Sequence, residues 1–318
     1  FRSFLHFSSP CLLMADTLFS SAWTRMLREV CKSAVSLFLG GVYFLLGVVA
    51  FYLFSRRSRD TPGRSIFMSA IGLMLVLAMA ELAAQVVATS LSLRMLYRAV
   101  DGSLLDTAVS VSQQQEASLQ GIYDKIVFAE DLMLVANNAL ADGLFAYRCY
   151  LIWGPKYNKY IIILPCISLV ITTALGGTAA YYNNIRFAGS SVVDTRIGFA
   201  FAITTNVMLT GLTAGRIWWT RRELRIVGQD KYTKRYTTAI SVLVESGLAY
   251  SVFLILVIAA VSYGRHSSST DPGPLALISL SYGAAGQLVN IVPTAFIVRI
   301  GLFPPSETEG EKFKKFLV

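Results

Sequence analysis

Five acids, Glu81, Glu130, Asp131, Asp142 and Glu245, lie inside stretches of the chain that are otherwise apolar. Acids in such surroundings can bind a cation, relay a proton or hold a polar ligand by hydrogen bonds. A charged one costs roughly 2.5–3.5 kcal/mol at the centre of a membrane helix. Each must therefore turn toward an interior, a water-filled cavity or a basic partner. Asp124, Asp131, Asn138, Asp142 and Cys149 follow one another at intervals of seven, seven, four and seven residues. With 3.6 residues per helical turn they form one stripe, so the helix carrying them has a polar face that must point inward. With Glu81 on one neighbouring stretch and Gln287 and Asn290 on another, Asp131, Asn138 and Asp142 make a candidate polar core. It is either a structural hydrogen-bond network or the lining of a ligand pocket or cation path.

The elements that must position these side chains are seven apolar stretches, 34–54, 66–90, 126–152, 160–182, 197–219, 239–263 and 275–298. Each is about as long as a helix needs to cross roughly 30 Å of hydrocarbon. In a 318-residue chain 54% is hydrophobic and only 15% charged, against about 25% charged in soluble domains. The expected fold is all-α, a seven-transmembrane helix bundle over residues 34–300. An N-terminal segment, 1–33, precedes it outside, partly disordered, and a cytoplasmic tail, 301–318, follows. The longest connection, 91–121, reads as a mobile outer loop because its second half is rich in Ser, Gln and Asp. Span 3, the most polar, is expected at the centre.

The net charge of +9 fits basic residues gathered in cytoplasmic loops better than a nucleic-acid partner. Arg56, Arg57, Arg59 and Arg64 and the run from Arg216 to Arg235 fall on one side of a seven-span count. That places the N-terminus outside and the C-terminus inside, while Arg25, Arg28 and Lys32 before span 1 argue the other way. Cys11, Cys31, Cys149 and Cys166 include none at the outer start of span 3 or in 183–196. The chain begins with Phe1, and Met14 is a plausible natural start. The segment 312–317, with bases between apolar side chains, could lie on an anionic leaflet.

Arg148, Arg216 and Glu245 approach the inner ends of spans 3, 5 and 6. A Glu245 pair with Arg148 or Arg216 would form a cytoplasmic switch cluster; arginines that simply snorkel to the headgroups are the plainer account. In span 7, Pro293 removes a backbone donor, and Asn290 is close enough to help satisfy a freed group. The histidines are His6 and His266, outside the spans, and no His/Cys/carboxylate cluster has metal spacing. No Walker A pattern occurs and span 7 has no lysine for a Schiff base. No enzyme, metal or cofactor is expected.

Several segments together resemble a large group of seven-span proteins from basidiomycete fungi. They are Asp142-Gly-Leu-Phe-Ala-Tyr-Arg-Cys-Tyr-Leu-Ile-Trp153, Ile161-Ile-Ile-Leu-Pro165, Arg216-Ile-Trp218, Val244-Glu-Ser-Gly-Leu-Ala-Tyr-Ser251 and Ile297-Val-Arg-Ile-Gly301. The resemblance runs from span 3 to span 7. It implies a receptor-like topology with the Tyr147-Arg148 and Glu245-Ser-Gly247 segments near the cytoplasm. The first functional expectation is a receptor-like signal transducer of a small-molecule or lipid ligand, in the plasma membrane before an internal one. Residues 220–236 would meet an intracellular signalling partner. The second expectation is a secondary transporter or channel for a cation, a proton or a small solute.

Overall fold

The computed structural model describes residues 10–56, 64–102, 109–153, 161–186, 194–226, 230–266 and 272–301. Among them are seven α-helices: α1 (Pro10–Arg56), α2 (Arg64–Gly102), α3 (Val109–Trp153), α4 (Ile163–Tyr181), α5 (Thr195–Ile226), α6 (Asp230–His266) and α7 (Pro272–Gly301). A π-helical turn, Tyr182–Arg186, continues α4. The helices close a ring in chain order, with α7 returning to α1, and α3 stands inward, touching α2, α4, α5 and α7. That placement follows from composition. Six helices are long and apolar enough to cross a membrane, and α3 is not among them. Its polar side chains would be costly against lipid and are covered here by other helices.

The bundle is inverted relative to a soluble protein. Phe38 and Leu45 are 73% and 67% exposed, whereas Glu81, Gln287 and Asn290 are 3%, 0% and 0% exposed. Such a surface is stable only against hydrocarbon. The membrane-crossing stretch of α1 is Trp23–Leu53, and the helix itself begins at Pro10. Residues 10–33, read from sequence as part of an outer segment, therefore belong to the first helix. Most of the expected 91–121 loop is helix too, since α2 ends at Gly102 and α3 starts at Val109. The extensions of α1, α2 and α3 lie side by side. Arg25 reaches Met95 Sδ at 3.5 Å and also donates to Gln120 Oε1. The window of apolar residues locates a span; charged side chains that pair across helices let the helix run beyond it. The tail 302–318, with its basic–apolar end, falls outside the described residues.

Two close approaches set the packing. Lys32 O lies 2.4 Å from where a Cβ on Gly283 would stand, and Ser36 Oγ donates to Gly283 O at 3.0 Å. Between α5 and α6, Asn206 Nδ2 donates to Gly247 O and Ser251 Oγ, both at 2.9 Å. A Cβ on Gly247 would strike Thr210. Small residues that let backbones meet, with polar side chains bridging them, are the means by which helices associate in lipid. Gly247 and Ser251 thus have a packing reason for their places in the Val244–Ser251 segment.

Candidate functional site

A cavity of about 1110 Å³ occupies one half of the bundle. Its lining comes from the N-terminal parts of α1, α3, α5 and α7, the later halves of α2 and α6, and the end of α4. It extends from Ser20, Thr24 and Gln120 down to Asn138, Ala202, Tyr250 and Val289. Its acids are Glu29, Glu81, Asp124, Glu130 and Asp131; its bases are Arg25, Arg28 and Lys32. The charged residues all come from α1, α2 and α3. Across from them α5, α6 and α7 contribute Phe199, Leu254, Ile278, Tyr282 and Val289.

Each base is engaged. Lys32 Nζ pairs with Glu130 Oε2, the two side chains being 16% and 2% exposed. Arg28 donates to Tyr123 Oη at 3.0 Å and lies 3.5 Å from Glu29, while Tyr123 donates to Glu29 at 2.7 Å. Arg25 donates to Gln120 and stands over the Tyr123 ring. Gln120 in turn donates to Asp124 Oδ1 at 2.7 Å. The remaining two acids are served differently. Asp131 Oδ2 accepts from Asn184 Nδ2 at 2.6 Å, a neutral amide carried on the π-helical turn. Glu81 is held against Gly286, where an added Cβ would meet its Oε1. Its Oε2 and Gln85 Oε1 are buried without a hydrogen-bond partner.

The sequence-derived polar core is distributed over three levels. Glu81, Asp131 and Asn138 line the cavity. Asp142, 3% exposed, lies below the cavity and outside its lining, accepting from Asn138 Nδ2 at 3.2 Å, and Tyr250 Oη donates to Asn138 Oδ1 at 3.0 Å. Gln287 and Asn290 are fully buried on α7 and do not line the cavity. Asn290 Nδ2 donates to Gly286 O at 3.2 Å. That is the carbonyl one turn upstream of Asn290, whereas Pro293 frees the carbonyl of Val289. All five members of the α3 stripe are at least partly buried.

The inner cluster differs from expectation. Glu245 pairs with Arg299 at 3.3 Å, in place of Arg148 or Arg216, and both side chains of the pair are more than half exposed. An exposed pair contributes little and makes a poor latch. Arg148 is enclosed by aromatic rings, its guanidinium 4.4 Å from the Phe296 centroid, 5.3 Å from Phe67 and 5.6 Å from Phe145. Arg216 stands over Trp153 at 5.5 Å. Desolvated guanidinium groups over ring faces gain from the ring quadrupole, so Arg148 ties α2, α3 and α7 together below the cavity. Within 220–236, only the side chain of Arg222 belongs to the described residues, and it is exposed.

Sequence reasoning missed Arg25, Arg28, Glu29 and Lys32. Their three- and four-residue spacing, continued by Ser36, was a helical face in register with span 1. It was masked because charges at the end of an apolar window look like a terminus. Asn184 carried no signal, since only the π-helical turn aims it at Asp131.

An all-helical bundle with apolar side chains outside and acids inside defines a multi-span integral membrane protein. No protein-family model, curated protein or solved structure matches this chain.

Proposed function

We propose that the chain is a receptor-like seven-span protein that binds a ligand in the α1–α7 cavity and reports its occupancy at the opposite end of the bundle. In this reading α3 is the seventh span, the N-terminus and the cavity face outside, the C-terminus is inside, and the membrane is the plasma membrane. The observation that carries it is the one-sided cavity. All its lining residues lie between one end of the bundle and the middle. Below them the space narrows to a cavity of about 10 Å³ beside Asp142 and Asn206, and Arg148 packs against the Phe67, Phe145 and Phe296 rings. A transporter needs a polar route reachable from both sides, and α3 and α7 would have to part around Arg148 to open one. The fungal seven-span resemblance, centred on Asp142–Trp153, supports the same topology. Residues 220–236 are the proposed meeting place for an intracellular partner.

The experiment is a flux measurement. Protein reconstituted in liposomes should show no proton, sodium or small-amine uptake above protein-free vesicles under an imposed gradient or potential. Concentrative or potential-driven uptake that disappears in Asp131→Asn would replace the receptor with a transporter.

A further inference from the structure

The proposed ligand site also has a definite chemical polarity. Two of its acids, Asp131 and Glu81, have no base within ion-pair distance among the described residues, while each base in the cavity is already engaged. Among the lining side chains the buried groups without a hydrogen-bond partner are all acceptors, and the Asn137 amide beside Glu81 lies outside the lining. Glu81 Oε2 and Gln85 Oε1 lack a donor, and these side chains are 3% and 2% exposed on the cavity wall. Unpaired buried acceptors are costly, so the group that satisfies them must bring donors, and beside carboxylates a positively charged donor makes the stronger bond. An ammonium does so, with three N–H donors and no acceptor. A carboxylate or phosphate head would meet acids across the same wall. The opposite wall, from Phe199 to Val289, offers mainly apolar contact. At about 1110 Å³ the space exceeds the 300–1,000 Å³ usual for small ligands, so it can accommodate an extended apolar body.

Resting on the reading of this cavity as a ligand site, we propose that it takes a cationic amphiphile, a protonated primary amine on an apolar chain. The ammonium lies against Asp131 and Glu81, and the chain runs along Phe199, Leu254 and Val289. Asn184 is a positioning residue, holding one oxygen of Asp131 so that the other is free to receive the amine.

The test uses full-length protein in nanodiscs and an undecylamine with a dansyl reporter at its far end, compared with the matching alcohol and carboxylate; empty nanodiscs give the lipid background. Saturable binding of the amine should be at least about tenfold tighter than of either analogue, because a charge-assisted bond is lost in both. Asp131→Asn should weaken the amine at least about tenfold and leave the alcohol nearly unchanged. Gly198→Phe tests the apolar side. Gly198 lines the cavity and a Cβ there meets nothing within 4 Å, so with a phenyl ring at this position saturable amine binding should vanish while the thermal midpoint holds. If Asp131→Asn does not fold, Glu81→Gln serves in its place. Equal affinity for the three heads, preference for the carboxylate, sodium binding that the amine does not displace, or amine binding indifferent to all three variants would overturn the proposal. Amine binding accompanied by amine uptake into liposomes would keep this ligand class and end the receptor reading. Binding of a different head group without flux would do the reverse.

Discussion

Replacing Lys32 with methionine is expected to cost the bundle about 3–5 kcal/mol, the usual penalty for leaving a buried charge without its partner. Glu130 is 2% exposed and holds Lys32 as its ion partner. Methionine keeps the length and apolar stem of lysine and removes the charge. The carboxylate would then remain among helices with its second oxygen already lacking a donor. Adding Glu130→Gln should recover much of the loss, because a neutral pair avoids the stranded charge. Detergent-solubilised variants followed through denaturant unfolding measure both values. A Lys32→Met variant within about 1 kcal/mol of the parent, the range of an exposed pair, would mean that the contact is incidental and that α1 is held by something else.

Gly283→Ala is the second large effect, and its sign is the informative part. The new Cβ would stand 2.4 Å from Lys32 O, a backbone atom, where ordinary contact begins at 3.4 Å. Neither group can rotate away, so α1 and α7 must move apart. The Ser36–Gly283 hydrogen bond of 3.0 Å goes with that movement. Overpacking plus one lost buried bond amounts to roughly 2–4 kcal/mol. The same substitution at Gly41 meets nothing within 4 Å. There alanine should stabilise by roughly 0.5–1 kcal/mol through lower chain entropy. Paired unfolding curves showing the same sign for both variants would contradict the close α1–α7 approach.

Much of this architecture was legible from residue order alone. The apolar stretches mark where the helices are, and the 7-7-4-7 stripe marks α3 as the helix that cannot face lipid. Glu81, Asp131 and Asn138 could be named because an acid or amide in an apolar run has few places to go. What stayed hidden depended on partners from distant parts of the chain. Lys32 is read as a terminal charge until Glu130, on α3, is placed beside it. The 91–121 segment reads as a loop until Arg25 brings together Met95 and Gln120. Glu245 had two arginines within plausible reach, and the structure pairs it with a third, Arg299. Arg148 carried no sign that its neighbours would be three phenylalanines from three helices.

In the proposed topology α3 crosses the membrane despite being too polar to qualify by composition. Ser20 and Arg222, both exposed, report on this when each is made the only cysteine in a background lacking Cys11, Cys31, Cys149 and Cys166. In intact cells, a membrane-impermeant maleimide should label Ser20→Cys directly and Arg222→Cys only after permeabilisation. If α3 does not cross, α5 reverses direction and both positions fall on the same side. Labelling of both from outside, or of neither, would contradict a seventh span and the one-sided cavity built around it.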